Sequence, residues 1–286
     1  MQKEPLAPGT IVFGKYKIIR PLGTGATSAV YACKRSGHPS NVLALKILNV
    51  DLASEDLIRR FRHEIHASYR ISHPNVVRGF ESFRVDGLEA YTMECVEGGN
   101  LEDVLQDVEE KLSIQEILRI LIQTCQGLTA IHAAGYVHRD LKPGNIFMTN
   151  DGSPKIGDFN TVLCPSIRSR RFDFGTIGTL EYMSPEVLAT GVADTRSDIY
   201  AIGAIAYEMV TGELPFEADC RKKMLRLKKR RRPKSPHRLR SDCPRELSTL
   251  IMKALRSKPR ARYQSAEELL AQLCRITPRN GIGSCR

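Results

Sequence analysis

The stretch that decides the fold of this chain is His138-Arg139-Asp140-Leu141-Lys142-Pro143-Gly144-Asn145, followed thirteen residues later by Asp158-Phe159-Asn160. It supplies two carboxylates, an amide and a lysine from two neighbouring loops: Asp140, Asp158, Asn145 and Lys142. Carboxylate and amide oxygens suit Mg²⁺, which also favours substrate phosphates. The set can therefore position a hydroxyl group and hold a divalent metal against a polyphosphate.

These residues and their spacing resemble the catalytic loop and the metal-binding loop of eukaryotic-type (Hanks-type) serine/threonine protein kinases. The resemblance implies that Asp140 orients the substrate hydroxyl and accepts its proton. It also implies that Lys142 offsets charge on the moving γ-phosphoryl group of ATP. Asn145 and Asp158 are the implied ligands of Mg²⁺, with Mn²⁺ as an alternative metal.

Asn160 departs from the family, which usually has glycine at this position. Glycine gives the backbone a permissive φ/ψ there. Asparagine is one of the few other residues enriched at positive φ. We therefore predict that catalysis survives and that flipping of Phe159 is restrained. An inactive parent that regains activity in Asn160→Gly would contradict this prediction.

A glycine-rich stretch at 22–30 lies between two strand-like segments. Gly23 and Gly25 allow backbone N–H groups to approach phosphate oxygens without a Cβ in the way. It is not a Walker loop, because no Gly-Lys-Ser/Thr follows. By itself the stretch is equally typical of an ordinary glycine-rich hairpin.

Lys46 is the one charge in an apolar strand-like segment at 42–48. Burying an ammonium group alone is costly, so the lysine needs an anionic partner. Glu64 projects beside the apolar stripe of the following helix and has the same need. The pair could be a snorkelling lysine and a solvated glutamate. It also matches the family pattern, which places Lys46 on the α/β-phosphates and Glu64 as the residue that holds it.

An adenine ring needs a flat apolar slot, and the resemblance supplies residues for both of its faces. It places Leu22, Val30 and Ala44 above the ring and Phe147 below it. The implied hinge and gatekeeper residues are Glu94, Cys95 and Val96, and Met93. Each of these side chains is equally compatible with a plain core role.

The stretch at 158–186 resembles an activation segment, and Lys142 combined with Thr179 is the serine/threonine pattern of the family. Arg139 could receive a phosphate through charge-assisted hydrogen bonds, which would order the segment. The candidate phosphosites are Thr176, Ser169, Thr179, Ser166 and Thr161. The alternative is an unregulated loop in which Arg139 is satisfied by backbone or by Asp173.

Further matches carry structural roles. Asp198 resembles the aspartate that tethers the catalytic loop from below, and Arg262 resembles the arginine that pairs with Glu186. The resemblance covers about 14–273. It is closest to the compact bacterial kinases through Phe61-Arg62-His63-Glu64 and Arg262-Tyr263-Gln264-Ser265.

Strand-like segments come first and helical patterns follow, which predicts segregated lobes and not alternating βαβ units. The expected fold is α+β and bilobal, with a small β-rich N-lobe containing one main helix and a larger, mainly helical C-lobe. The predicted strands are 16–20, 29–34, 42–48, 76–83 and 89–95. We divide the chain into an N-terminal extension, a kinase domain of two lobes and a C-terminal tail: 1–13, 14–275 (N-lobe 14–96, C-lobe 97–275) and 276–286.

The composition is that of a globular protein, with 286 residues of which 42% are hydrophobic and 26% charged. No apolar run approaches the roughly 18 residues of a membrane span, and we expect no secretory signal. Eight cysteines are scattered without a Cys-x-x-Cys pair, so we expect no structural zinc. Free thiols of this kind predict a reducing, cytoplasmic compartment.

The net charge of +11 comes from one segment. Residues 221–240, which we call the basic segment, contain twelve lysines and arginines and no acidic residue. Three interpretations remain: a solvated helix face, a docking surface for an acidic protein partner, or contact with nucleic acid or an anionic membrane. The segment lacks aromatic stacking platforms, so we expect no single-stranded nucleic-acid partner.

We predict a serine/threonine protein kinase that uses Mg-ATP and acts on protein substrates. One alternative is a pseudokinase or nucleotide-binding scaffold with weak or no turnover, which Asn160 favours and the intact catalytic set opposes. The other is a nucleic-acid adaptor that acts through the basic segment.

Overall fold

A computed structural model of the chain describes residues 6–24, 28–49, 53–85, 87–107, 111–159, 162 and 180–276. These ranges contain eight strands and nine α-helices. Several residues singled out in the sequence lie outside the described ranges: Gly25, Asn160, Thr161, Ser166, Ser169, Asp173, Thr176 and Thr179.

The first part of the chain forms a six-stranded antiparallel sheet in the order β1-β2-β3-β4-β6-β5. Its strands are β1 (Ile11–Val12), β2 (Tyr16–Thr24), β3 (Ser28–Arg35), β4 (His38–Asn49), β5 (Gly79–Val85) and β6 (Leu88–Glu94). One long helix, α1 (Glu55–Arg70), comes between β4 and β5 in the chain. Phe61 of this helix packs with Leu48 and Tyr91 of the sheet. The expected β-rich lobe with one main helix is confirmed.

The predicted strand at 76–83 differs from the observed one, because β5 begins only at Gly79. The preceding residues contact a separate two-stranded sheet formed by β7 (Ile146–Met148) and β8 (Pro154–Ile156). The N–H group of Val77 donates to the carbonyl oxygen of Ile156 at 2.9 Å. The N–H group of Ile156 donates to the carbonyl oxygen of Asn75, also at 2.9 Å. Apolar residues are suited to either of the two sheets, so the sequence pattern could not show with which strand this stretch pairs.

The second part of the chain is mainly helical, as expected. Its helices are α2 (Leu101–Gln106), α3 (Ile114–Ala133), α4 (Pro185–Thr190), α5 (Thr195–Thr211), α6 (Arg221–Arg230), α7 (Pro236–Leu239), α8 (Arg245–Ala254) and α9 (Ala266–Ile276). The main hydrophobic core joins α3, α5, α8 and α9. Gly203 permits close packing of α5 on α8, because a Cβ atom there would lie 2.8 Å from the Cβ atom of Ala254.

Candidate active site

Lys46 and Glu64 form a buried ion pair between the sheet and α1. Lys46 Nζ lies 2.6 Å from Glu64 Oε1, and the two residues are 7% and 0% exposed. The hydroxyl group of Tyr91 on β6 donates to the same Glu64 oxygen at 2.7 Å. Lys46 Nζ also lies 3.4 Å from Asp158 Oδ1 in the helical lobe. Burial favours the neutral amine, but Glu64 and Asp158 outweigh it and raise the pKa of Lys46 above its usual value.

The strand register brings the candidate adenine residues to the face that carries Lys46. Val30 pairs with Lys46, and Ala44 pairs with Met93 across the neighbouring strands. Directly paired residues, and residues two apart on one strand, share a face of the sheet. Gly23 lies opposite Val30 on β2. The β-rich side of the proposed cleft is therefore apolar around a single ammonium group.

The remaining slot residues occupy the edges of the same region. Leu22 on β2 is 41% exposed, so no core packing accounts for it. Phe147 on β7 lies against Gly157, where an added Cβ would come within 2.8 Å of the ring. The side chain of Glu94 is paired with Lys155 at 2.9 Å, which leaves only its backbone for a hinge role. Val96 is the second residue after the end of β6.

Asp140, Lys142 and Asn145 converge on one loop. Asn145 Nδ2 donates to the backbone oxygen of Asp140 at 2.7 Å and to its Oδ2 atom at 3.2 Å. Lys142 Nζ lies 3.8 Å from the same Oδ2 atom. Burial raises the pKa of Asp140 above its usual value, and Lys142 and His138 oppose this shift. The loop therefore presents one half-buried carboxylate beside one cation.

Asp198, near the start of α5, holds this loop from beneath. Its Oδ2 and Oδ1 atoms accept hydrogen bonds from the backbone N–H groups of His138 and Arg139 at 2.9 and 2.8 Å. His132 Nε2 on α3 lies 2.8 Å from Oδ2. Arg139 has a φ of 73°, a strained value for a residue with a side chain. The buried carboxylate stabilises this backbone conformation, which orients the adjacent Asp140.

Asp158 also has an unusual backbone, with a φ of 57°. Aspartate is one of the residues that tolerate this region. The preceding Gly157 accepts a hydrogen bond from His138 Nε2 at 3.1 Å, and the following Phe159 ring lies 5.5 Å from the His138 ring. His138 thus joins the two loops on which the carboxylates stand.

The donor set fits a hard divalent cation. Both Asn145 Nδ2 hydrogen bonds go to Asp140, so the side-chain oxygen of Asn145 is the amide atom left for a metal. Asp158 supplies a carboxylate from the neighbouring loop. Within the described ranges, no cluster of three or more histidine, cysteine, aspartate or glutamate side chains could hold a metal. An ion at this site would need substrate phosphates and water to complete its coordination, as Mg²⁺ typically does.

The carboxylate of Glu186 on α4 is paired with Arg262 as the sequence predicts. The two terminal nitrogens of the guanidinium, Nη1 and Nη2, lie 2.6 and 2.7 Å from the two oxygens of Glu186. Arg262 is 2% exposed and also donates to three backbone carbonyl oxygens, those of Arg256, Arg196 and Ser257. This pair anchors the end of the 158–186 segment.

Sequence reasoning missed two side chains that complete these contacts, Tyr91 and His132, and a third, Lys228, that contacts the backbone at 180–183. His132 follows Leu128 by four residues on the buried stripe of α3, so a polar group on that stripe was a usable signal. Tyr91 had no local signal. Lys228 is an exception to the interpretation of the basic segment as a solvated helix face, because it is buried and hydrogen-bonded.

The chain is similar to known kinases over nearly all of its length. A family model described as protein kinase domain matches residues 16–273. A probable PknB kinase of Corynebacterium glutamicum is 34% identical over 95% of this chain and 43% of its own length. A probable serine/threonine-protein kinase of Clostridium perfringens is 32% identical over 94% of the chain and 39% of its own length. Serine/threonine-protein kinase PrkC of Bacillus subtilis is 31% identical over 93% of the chain and 41% of its own length.

The chain therefore spans about two fifths of the length of the curated relatives it matches. None of the helices among the described residues is both long enough and apolar enough to cross a bilayer.

Proposed function

Because the chain belongs to the protein kinase domain family, we propose that it transfers the γ-phosphoryl group of ATP to serine and threonine hydroxyls of proteins. One observation carries this proposal: Lys46 on the sheet lies 2.6 Å from Glu64 and 3.4 Å from Asp158, so both lobes contribute to one cleft. Had these groups opened onto separate surfaces, they could not act on one nucleotide.

We assign the nucleotide-binding roles as follows. Glu64 holds Lys46, which binds the α/β-phosphates, and Gly23 and Gly25 let the backbone approach them. Asn145 and Asp158 would hold Mg²⁺, for which Mn²⁺ is an alternative, and the metal would supply positive charge against the phosphates. The adenine ring lies between Leu22, Val30, Ala44 and Met93 on one side and Phe147 on the other, with its edge on the backbone of Glu94 and Val96.

At the reacting end, Asp140 orients the acceptor hydroxyl and takes its proton as the oxygen attacks the γ-phosphorus. The bond from the γ-phosphorus to the oxygen bridging the β-phosphate breaks, and ADP leaves with that oxygen. Lys142, whose Nζ atom lies 3.8 Å from Asp140, stabilises the charge that moves onto the transferred group. The backbone of Arg139 and His138, fixed by Asp198, keeps Asp140 in place. Positioning of this kind accounts for most of the catalysis of phosphoryl transfer.

The finer assignments are part of the same proposal. We place the kinase domain at 14–275, with lobes meeting near residue 97, a leading extension at 1–13 and a tail at 276–286. We propose regulation by a phosphate in the activation segment that Arg139 receives. A cytoplasmic location follows from the scattered free cysteines.

The deciding experiment measures labelled phosphate transfer from ATP to dephosphorylated casein. Asp140→Asn should reduce transfer by about a hundredfold or more while nucleotide binding persists. Asp151→Asn, which changes an exposed aspartate on the next turn of the chain, is the matched control and should leave transfer unchanged. Chelation should abolish transfer, and added Mg²⁺ or Mn²⁺ should restore it. Nucleotide binding without any transfer by the parent chain would favour the pseudokinase alternative.

We further propose that the basic segment docks an acidic protein partner. Its support is the run of exposed cations on and after α6, among which Lys223 pairs with Asp219 at 3.3 Å. Binding of a polyglutamate peptide should weaken steeply with salt and with charge-neutral substitutions of Lys222 and Lys229. Tighter binding to single-stranded RNA than to the acidic peptide would overturn this assignment.

A further inference from the structure

Lys228 is the buried exception in the basic segment. It lies on α6 with 2% of its surface exposed, whereas the adjacent Lys229 is exposed. Its Nζ atom donates hydrogen bonds to the backbone oxygens of Leu180, Glu181 and Met183 at 2.7, 2.6 and 2.6 Å. One side chain of α6 thus holds three peptide groups of a stretch that belongs to no helix or strand.

The number of acceptors matches the chemistry of the ammonium group. A charged lysine has three N–H donors, one for each carbonyl oxygen, whereas a neutral amine has only two. The ring of Tyr200 lies 5.1 Å from Nζ and adds a cation–π contact. Burial lowers the pKa of Lys228 to about 7, although the nearby carboxylate of Glu181 opposes this shift. The contact is therefore built for a cation but holds it at an energetic cost.

The stretch that Lys228 holds forms part of the wall beside the catalytic carboxylate. Tyr182, Met183 and Ser184 line a small cavity together with Asp140. These residues therefore form part of the surroundings of Asp140, which we propose as the partner of the acceptor hydroxyl. A shift of the wall by about 1 Å is enough to change a rate by about a hundredfold.

Apolar contacts alone do not explain the arrangement. Met183 packs with Met224 of α6 and with Val187 of α4, which keeps the stretch close to α6. Hydrophobic contacts are non-directional, so they fix the distance but not the orientation of the peptide groups. Three hydrogen bonds to the carbonyl oxygens of Leu180, Glu181 and Met183 do fix that orientation.

We propose that Lys228 is a positioning residue for the acceptor side of the reaction. It holds the stretch at 180–183 so that a protein substrate can present its hydroxyl to Asp140. This inference rests on the proposed kinase function and deepens it, because it assigns to the basic segment a second role distinct from partner docking.

The test compares Lys228→Met with Lys258→Met, which removes the same charge at an exposed position outside the basic segment. Lys228→Met should raise the KM for dephosphorylated casein by about ten- to a hundredfold and leave the KM for ATP unchanged. Lys228→Arg should raise the KM for casein less than Lys228→Met does, because arginine keeps a buried cation with several donors. In the absence of substrates, amide hydrogen exchange of peptides spanning 180–184 should accelerate in Lys228→Met alone.

The hydrogen-exchange arm separates this inference from the proposed function. If the parent chain transfers no phosphate, the kinase proposal fails, and exchange at 180–184 still tests the role of Lys228. Unchanged exchange in Lys228→Met, or an equal rise in both KM values, would overturn the inference. Should Lys228→Met not fold, Lys228→Gln takes its place. Unfolding of both variants would assign the lysine to global stability and also overturn the inference.

Discussion

Lys46, Asp198 and Arg262 are each nearly excluded from solvent, and each contacts charged or polar groups from other parts of the chain. A buried charge is tolerated only where such partners offset its loss of hydration. The partners are far apart in sequence, so each of these residues fixes the relative position of two elements. At the residue scale, the site is therefore assembled by a few buried charges.

Replacement of Glu64 by glutamine tests the most important of these contacts. The neutral side chain keeps the size of the original and a hydrogen-bond acceptor for Tyr91, but it removes the charge that holds Lys46. Loss of a charged hydrogen bond costs about 1.5–3 kcal/mol, so kcat/KM for ATP should fall about ten- to a hundredfold. Glu55→Gln on the exposed start of α1 is the control. Equal kinetics for both variants would contradict the assignment.

The lowered pKa of Lys228 predicts a pH-dependent stability. Its folded-state pKa is about 7 against the usual 10.5, and the groups that face it are Glu181, Glu186 and Arg262. Between these two values the unfolded chain keeps the proton that the folded chain has released, so stability rises with pH. Urea unfolding measures the free energy of unfolding of the parent and of Lys228→Met. The parent's advantage over the variant should be larger at about pH 9 than at about pH 6. Parallel pH profiles would contradict the prediction.

Local signals define the helices that carry the site. α3 begins with a capping box, in which Ser113 and Glu116 exchange hydrogen bonds with each other's backbone N–H group. α5 begins with a similar box between Asp194 and Ser197. The box of α5 immediately precedes Asp198, which holds the catalytic loop. At the element scale, the caps therefore fix where each helix begins, and this determines the position of the functional side chains along the helix.

Ser113→Ala should destabilise the protein by about 1 kcal/mol, because it removes the hydroxyl that accepts a hydrogen bond from Glu116 N–H at 3.2 Å. The effect should appear in urea unfolding and not in the KM for ATP, since α3 reaches the site only at its far end, through His132. Ser241→Ala changes an exposed serine outside the helices and is the control. A similar loss in both variants would argue against the cap.

The two lobes meet through a small number of directional contacts. The stretch at 75–77 pairs with β8, and Asn75 Nδ2 donates to the backbone oxygen of Pro154 at 2.8 Å. Gly127 on α3 packs against the same place, since a Cβ there would lie 2.5 Å from the backbone oxygen of Asn75. The Lys46–Asp158 contact closes the other side at 3.4 Å. The molecule thus has an anchored edge on one side and, on the other, a cleft that contains the candidate nucleotide- and metal-binding residues.

Arg262→Ala tests a contact that matters to the whole molecule. Its guanidinium joins Glu186 on α4 to the backbone before α9 and stacks 4.9 Å from the ring of Tyr200 on α5. Removal of one partner leaves a carboxylate without its cation, so we expect a loss of about 3–5 kcal/mol in the free energy of unfolding. ATP affinity of the folded fraction should change little. Arg260→Ala, at an exposed position nearby, is the control, and equal melting temperatures for Arg262→Ala and the parent would refute the prediction.

Much of this architecture followed from the sequence because its signals are local. The order of strand-like segments before helical ones is a consequence of periodicity, which operates within a few residues. The Asp140 loop could be identified because its chemistry requires a fixed set of side chains at fixed spacing. The pairing of Lys46 with Glu64 was predicted because a buried charge demands a partner.

The sequence by itself thus determined the family, the types of element and the catalytic and metal-binding candidates. Only the tertiary structure decided that 75–77 pairs with β8, that His132 supports Asp198 and that Lys228 is buried beneath three carbonyl oxygens. The physical reason is that the partner of a strand edge, and the hydration of a charge on a helix, depend on residues distant in the chain. A local pattern contains no information about them.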